Sequence, residues 1–240
     1  MKAIVLEGNG IDHARYQEID RPSIGSNDVC VLLKAAALNH RDIWNCDRFS
    51  AEEAPVILGS DGAGKVIDVG SEVDTSLIGE DVVINSSQDW ADKANVPKGE
   101  YNDGYKILGY PDHGTFAEYI VIGNHQIEKK PSFLSWQEAA ASCLVGITAY
   151  RALFTEGKLK EGQTVAIPGI GGGAATQALL FAKAIGAKVI VTSRSSDKLK
   201  NATELGADLA IPTSADWGEA VREFTQGSGA DIIIETIGAA

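Results

Sequence analysis

The stretch Thr164-Val165-Ala166-Ile167-Pro168 runs into Gly169-Ile170-Gly171-Gly172-Gly173-Ala174, then into Ala175-Thr176-Gln177-Ala178-Leu179-Leu180. Taken at Gly169, Gly171 and Ala174 this is G-x-G-x-x-A, with Gly172 and Gly173 inside it. A strand-like run precedes it and a helix-like run follows. Gly169 permits a tight turn, Gly171 lets a pyrophosphate approach the backbone, and the small Ala174 allows close packing of helix on strand. The helix N-terminus then offers free N–H groups and a positive dipole end to phosphates. A glycine run alone is equally a flexible loop; its flanks make these five small residues candidate dinucleotide contacts.

The end of the next strand discriminates between dinucleotides. An NAD site places Asp or Glu about 20 residues past the turn, to accept from the ribose 2′-hydroxyl. This chain reads Val189-Ile190-Val191-Thr192-Ser193-Arg194-Ser195-Ser196, with no acid before Asp197. A hydroxyl at Ser193 and a guanidinium at Arg194 suit a 2′-phosphate, and Lys198 adds a point charge. NADPH is therefore the expected cofactor. The competing reading is that Arg194 and Lys198 merely solvate a helix start.

The elements around these residues divide into two textures. Residues 1–125 alternate short β-like runs (Lys2–Leu6, Asp28–Ala36, Gly64–Val69, Asp81–Asn85, Phe116–Ile122) with Gly, Asp, Asn and Pro, which predicts a β-rich domain. Residues 126–240 change period. Ser135 and Glu138 are spaced as a capping box opening an Ala-rich helix toward Leu153. Strand-like runs then start at residues 164, 188, 209 and 231, separated by helix-like runs 174–185, 197–205 and 216–226. That alternation predicts βαβ units and a parallel sheet, so the fold class is α/β.

Composition excludes several functions. The chain has 240 residues, 21 Lys and Arg against 33 Asp and Glu, and a formal net charge of −12. A nucleic-acid or anionic-membrane binder would need a basic face. No apolar run approaches the ~18 residues of a membrane span, and the first one is too short for a secretion signal. Cys30, Cys46 and Cys143 form no CxxC pair and read as free thiols, which fits a cytoplasmic protein.

The chain resembles the medium-chain dehydrogenase/reductase superfamily, and most of all its quinone oxidoreductase and zinc-type alcohol dehydrogenase-like branch. The resemblance runs through Ala37-Leu38-Asn39-His40-Arg41-Asp42, Leu58-Gly59-Ser60-Asp61-Gly62-Ala63-Gly64-Lys65-Val66, Gly114-Thr115-Phe116-Ala117-Glu118-Tyr119, Gly146-Ile147-Thr148-Ala149-Tyr150 and the glycine turn. It implies a GroES-like β domain, a Rossmann domain, and an active site in the cleft between them. It also implies a catalytic zinc in the metal-dependent members, held by Cys, His and Cys. Those positions fall on Asn39, Ser60 and Leu144 here, and an amide, a hydroxyl and an isobutyl group are no zinc ligands. A four-cysteine zinc lobe would fall within 85–106, which contains no Cys. The histidines His13, His40, His113 and His125 show no metal-ligand spacing, so no metal is expected.

Without a Lewis acid, a simple carbonyl lacks its polarising group, whereas a quinone or α,β-unsaturated carbonyl already spreads incoming charge. The expected reaction is hydride transfer from NADPH to such a small-molecule acceptor. The resemblance implies Asn39, His40 and Arg41 as donors or proton sources, and Thr148 as a contact to the nicotinamide region. Asn39 to Asp42 also read as a structural turn, with Asp42 capping a helix. Trp44, Phe49 and Tyr150 read as core. A non-catalytic NADPH sensor and an alcohol dehydrogenase with an unusual metal are the alternatives.

Length raises one more expectation. A doubly wound sheet is two βαβαβ halves, and only four strands are readable here. The expectation is a Rossmann domain incomplete at its C-terminus, with an exposed fourth strand, and a 240-residue form short of a complete reductase. The full-length protein is expected to be a homodimer or homotetramer.

Overall fold

The computed structural model describes residues 1–50, 52, 54–88 and 105–238. The zinc-lobe positions 89–104 lie outside the described residues. Two compact units are formed, Met1–Leu144 and Val145–Ala240.

The first unit is built of short antiparallel sheets. Strands β1 (Lys2–Leu6), β2 (Ala14–Glu18) and β4 (Val56–Ile57) form one of three strands in the order β2-β1-β4. Strands β3 (Asp28–Ala37), β5 (Asp61–Val69), β6 (Asp81–Ile84), β9 (Tyr119–Gly123) and β10 (Ile127–Lys129) form a second in the order β10-β6-β5-β3-β9. A ribbon of β7 (Ser87–Gln88) and β8 (Lys106–Ile107) completes the set. Alternation sets the inward faces: Val82 and Ile84 of β6 and Ile120 and Ile122 of β9 are buried and pack with Val29, Val31 and Val66. Between β3 and β4 lies helix α1 (His40–Arg48), opened by a capping box of Asn39 and Asp42. Helix α2 (Trp136–Ala141) is opened by the predicted capping box: the Glu138 N–H donates to Ser135 Oγ at 3.2 Å, and the Ser135 N–H donates to Glu138 Oε2 at 2.9 Å.

The second unit is a parallel sheet. Helix α3 (Cys143–Tyr150), whose first two residues belong to the first unit, and a π-helical turn Arg151–Glu156 lead into β11 (Thr164–Ile167), whose four residues are all buried. Then follow α4 (Gly173–Ala184), β12 (Lys188–Ser193), α5 (Ser196–Glu204), β13 (Leu209–Pro212), α6 (Trp217–Phe224) and β14 (Ile232–Ile233). All pairings are parallel, in the order β13-β12-β11-β14. Counted along the unit, that is 3-2-1-4, the first half and the switch point of a doubly wound sheet. Helix α4 buries Ala175, Ala178, Leu179 and Ala182, the i, i+3, i+4, i+7 stripe of a core-facing helix.

Several expectations need correction. The first compact unit runs to Leu144 rather than ending near 125, because β10 pairs with β6 and α2 packs on β3 and β5. The expected single helix from 135 toward Leu153 is α2, α3 and a π-helical turn, with a break at Ser142. The fourth strand is the short β14 rather than Asp231–Glu235, although the Ile234 N–H still donates to the Ala166 carbonyl at 2.9 Å. Phe49 is core, but Trp44 and Tyr150 are 53% and 57% exposed. Among the described residues no helix is long and apolar enough to cross a membrane.

Candidate functional site

In the first unit the candidate residues gather where β3 meets α1. The backbone N–H of Asn39 donates to Asp42 Oδ2 at 2.7 Å, which fixes the entrance of α1. The Asn39 side-chain amide also reaches β5, its Nδ2 donating to Asp61 Oδ2 at 2.8 Å. The other oxygen of the same carboxylate, Asp61 Oδ1, accepts the backbone N–H of Leu144 at 2.7 Å. Asp61 is only 1% exposed. Burial raises its pKa to about 6 against the pull of these two hydrogen bonds; the nearby Asp42 charge raises it further and Arg41 opposes.

The start of β5 is held in place by a neighbouring loop. Thr115 Oγ1 donates to the Asp61 carbonyl at 2.7 Å, and the Thr115 N–H donates to the Gly59 carbonyl at 3.0 Å. Gly114 makes this approach possible, since a Cβ there would collide with the Gly59 carbonyl oxygen. Ser60, fully buried, donates from Oγ to the Leu108 carbonyl at 2.8 Å and accepts from Arg41 at 2.6 Å; Arg41 also donates to the Leu108 carbonyl at 2.8 Å. Arg41 is thus engaged in joining α1 to two other segments. Hydrogen bonds to charged groups contribute about 1.5–3 kcal/mol. Arg41→Ala is therefore expected to destabilise the first unit by about 2 kcal/mol, read as a lower denaturation midpoint. An unchanged midpoint would show that the clasp carries no stability.

His40 is exposed and turned toward Trp44, with ring centroids 4.8 Å apart and planes tilted by 32°. Cys143, beside Asp61, has its thiol pushed up to about 12, by burial first and by the Asp61 charge second. It stays a neutral thiol at physiological pH. The three positions where a zinc would be held by resemblance therefore present a committed amide, a hydroxyl bonded to a carbonyl, and an aliphatic side chain. That donor set does not fit zinc. Among the described residues no group of three or more His, Cys, Asp or Glu side chains is placed to hold a metal ion.

In the second unit the glycine turn connects β11 to α4. Gly169 and Gly171 have φ of 73° and 115°, a region that favours glycine. The turn is tied to β12: the Gly169 N–H donates to Thr192 Oγ1 at 3.3 Å and the Ile170 N–H to the Thr192 carbonyl at 2.8 Å. A Cβ on Gly171 would meet the aliphatic stem of Lys198, so Lys198 lies over the turn rather than out along α5. The N-cap of α4 is Gly172, with no side chain to occupy the first N–H groups. This is a cradle that only glycine leaves open, and it fits a dinucleotide pyrophosphate.

Ser193, buried at the end of β12, accepts the Ser195 N–H at 3.2 Å, and Ser195 caps α5. Arg194 is exposed at that corner, and among the described residues no ion pair engages Arg194 or Lys198. Thr148 is exposed on α3, the helix whose Val145 lies against Gly173. The structure thus assembles two groups: Asn39, Arg41 and Ser60 around Asp61, and the turn 169–174 with Thr192, Ser193 and Lys198. Asp61 is the buried carboxylate at the centre of the first group, and the sequence reading did not place it among the candidate site residues. Its signal was available: a lone acid after Gly59-Ser60 at the mouth of a glycine-rich, otherwise uncharged strand start.

Comparison with known proteins agrees with this architecture. Residues 25–132 match the family model of the alcohol dehydrogenase GroES-like domain, and residues 172–240 match that of the zinc-binding dehydrogenases. The chain is 37% identical to the zinc-type alcohol dehydrogenase-like protein YogA of Leptosphaeria maculans, over 79% of this chain and 55% of that protein. It is 32% identical to an NAD-dependent alcohol dehydrogenase of Sulfolobus acidocaldarius, over 99% of this chain and 71% of that one. A quinone oxidoreductase structure from Pseudomonas syringae superposes with a TM-score of 0.81 at 27% identity, over 99% of this chain and 67% of the other. The chain thus spans just over half the length of the first of these relatives. With both family models matched in order and a β-rich unit followed by a 3-2-1-4 parallel sheet, the chain belongs to the medium-chain dehydrogenase/reductase superfamily of oxidoreductases.

Proposed function

We propose that the protein is an NADPH-dependent reductase of quinones or α,β-unsaturated carbonyls that works without a catalytic metal. The observation that carries this reading is the donor set around Asp61, which offers an amide hydrogen-bond donor where a metal-dependent relative needs a Lewis acid. Bound NADPH supplies the hydride. Asn39 Nδ2 gives one hydrogen to Asp61 and keeps one for an acceptor oxygen that becomes an enolate or quinolate. His40, exposed and held against Trp44, supplies the proton that completes the reduced product. Arg41 and Ser60 hold this corner rather than touch the substrate. The similarity to a quinone oxidoreductase supports the substrate class, and the Ser193-Arg194 corner without an acid supports NADPH over NADH.

The test is oxidation of NADPH by the purified protein with a panel of quinones and enones, in the presence of a chelator. Turnover that survives the chelator is expected. Bound NADPH with no turnover on any acceptor overturns the reading and leaves a nucleotide-binding protein. Cofactor choice has its own check: Arg194→Ala is expected to weaken NADPH binding by about tenfold or more while leaving NADH binding nearly unchanged, the loss of a charge-assisted contact to the 2′-phosphate. Equal losses for both cofactors would remove Arg194 from that role.

A further inference from the structure

Three segments distant in the chain converge on one carboxylate. Asn39 stands at the entrance of α1, Asp61 at the start of β5, and Leu144 in the first turn of α3. Both oxygens of Asp61 are engaged, Oδ2 by Asn39 Nδ2 at 2.8 Å and Oδ1 by the Leu144 N–H at 2.7 Å. The carboxylate is buried, its carbonyl is held by Thr115, and its loop is fixed against Gly114. A buried charge is a poor source of net stability, since removing it from water offsets most of what its partners return. What it does supply is direction. Two donors aimed at two oxygens of one rigid group leave each donor a single orientation.

We propose that Asp61 is the positioning residue of this site: its carboxylate joins the Asn39 amide to the first turn of α3 and holds that amide as a hydrogen-bond donor. The same three segments would be gathered by a zinc ion in a metal-dependent relative; in this chain a side chain gathers them. Asn39 is then held from both sides, its backbone N–H by Asp42 and its amide by Asp61, so the second amide hydrogen has a fixed direction. The catalytic part of this inference rests on the reading of Asn39 as the donor to substrate. The joint itself does not.

Hydrogen exchange at the Leu144 amide reads the joint directly, independently of turnover, and binding of NADPH reports on the integrity of the second unit. Asp61→Leu removes both acceptors. The Leu144 amide is expected to exchange about tenfold faster or more, and kcat to fall by about 10²-fold, the order seen on losing one donor to a developing oxyanion. The double variant Asn39→Asp/Asp61→Asn reverses the polarity of the pair. The amide at position 61 keeps an oxygen for Leu144 and donates to the new carboxylate at position 39. Leu144 protection is expected to return to within about threefold of the original, while kcat stays low because position 39 no longer donates.

Unchanged Leu144 exchange in Asp61→Leu overturns the proposal. So does a double variant that fails to recover protection, which also decides the matter if Asp61→Leu does not fold. Recovered kcat in the double variant would likewise overturn the claim that the Asn39 amide is the group being positioned. If the unaltered protein turns over no quinone or enone, recovery of Leu144 protection in the double variant still supports the joint, and only the reductase reading falls.

Discussion

Gly171→Val is expected to reduce NADPH affinity by at least about 10²-fold while leaving the first unit unchanged. Gly171 has φ of 115°, where a β-branched residue is strongly disfavoured, and any Cβ there collides with the stem of Lys198. Two losses follow. The turn must shift to relieve the strain, and the side chain fills the space through which a pyrophosphate would reach the backbone N–H groups. A factor of 10² is about 2.7 kcal/mol, the size of one or two charge-assisted hydrogen bonds. Titration of nucleotide fluorescence or calorimetry measures it. Equal affinities for the Gly171 variant and the original would mean that phosphates do not bind at this turn.

The second large effect is a dependence of stability on pH. Asp61 ionises at about 6 in the folded chain, because burial outweighs the bonds from Asn39 and Leu144 and the nearby Arg41 charge. An unfolded Asp ionises near 3.9. Between about pH 4 and pH 6 the folded state therefore keeps a proton that the unfolded state has released, and stability falls as pH rises through this window. The contribution of this group is fully present below about pH 4. Once the pH is well above about 6, roughly 3 kcal/mol of it is gone, at about 1.4 kcal/mol for each tenfold difference in proton affinity between the two states. Asp42, also buried and raised by burial, adds in the same direction, while Cys143 stays neutral throughout. Denaturant midpoints measured across this range should fall more steeply with rising pH for the original protein than for Asp61→Asn. Parallel curves would show that Asp61 is ionised in the folded chain well below about pH 6.

The glycine turn and the parallel sheet around it were readable in the sequence because each of their demands falls on local residues. The turn needs glycine where φ is positive, α4 needs small residues on one face, and β11 to β13 repeat with their helices; all of this lies within about one βαβ unit at a time. The corner at Asn39 was readable only in part. The capping box of Asn39 and Asp42 is local and could be anticipated, but the partner that fixes the Asn39 amide lies 22 positions away and that of Asp61 a further 83. Arg41 reads as a donor to substrate for the same reason, since the Ser60 hydroxyl and Leu108 carbonyl that engage it are remote in sequence. Trp44 and Tyr150 looked like core because aromatic rings usually are. The position of a large ring depends on what faces its helix, and no period in the chain records that. The boundary at Leu144 was hidden likewise, because it depends on β10 and α2 returning to strands laid down much earlier.

The ties between the glycine turn and β12 bear on how a cofactor arrives. Thr192 holds both the Gly169 and Ile170 N–H groups, and Lys198 rests on Gly171. The turn proposed to meet the phosphates and the strand end proposed to meet the adenosine ribose are therefore tied together before any nucleotide is present. Little backbone freedom is left to be lost on association, so the entropic cost of ordering a loop is largely avoided. Nucleotide capture should then follow simple one-step kinetics, with a rate proportional to cofactor concentration and no plateau from a prior rearrangement.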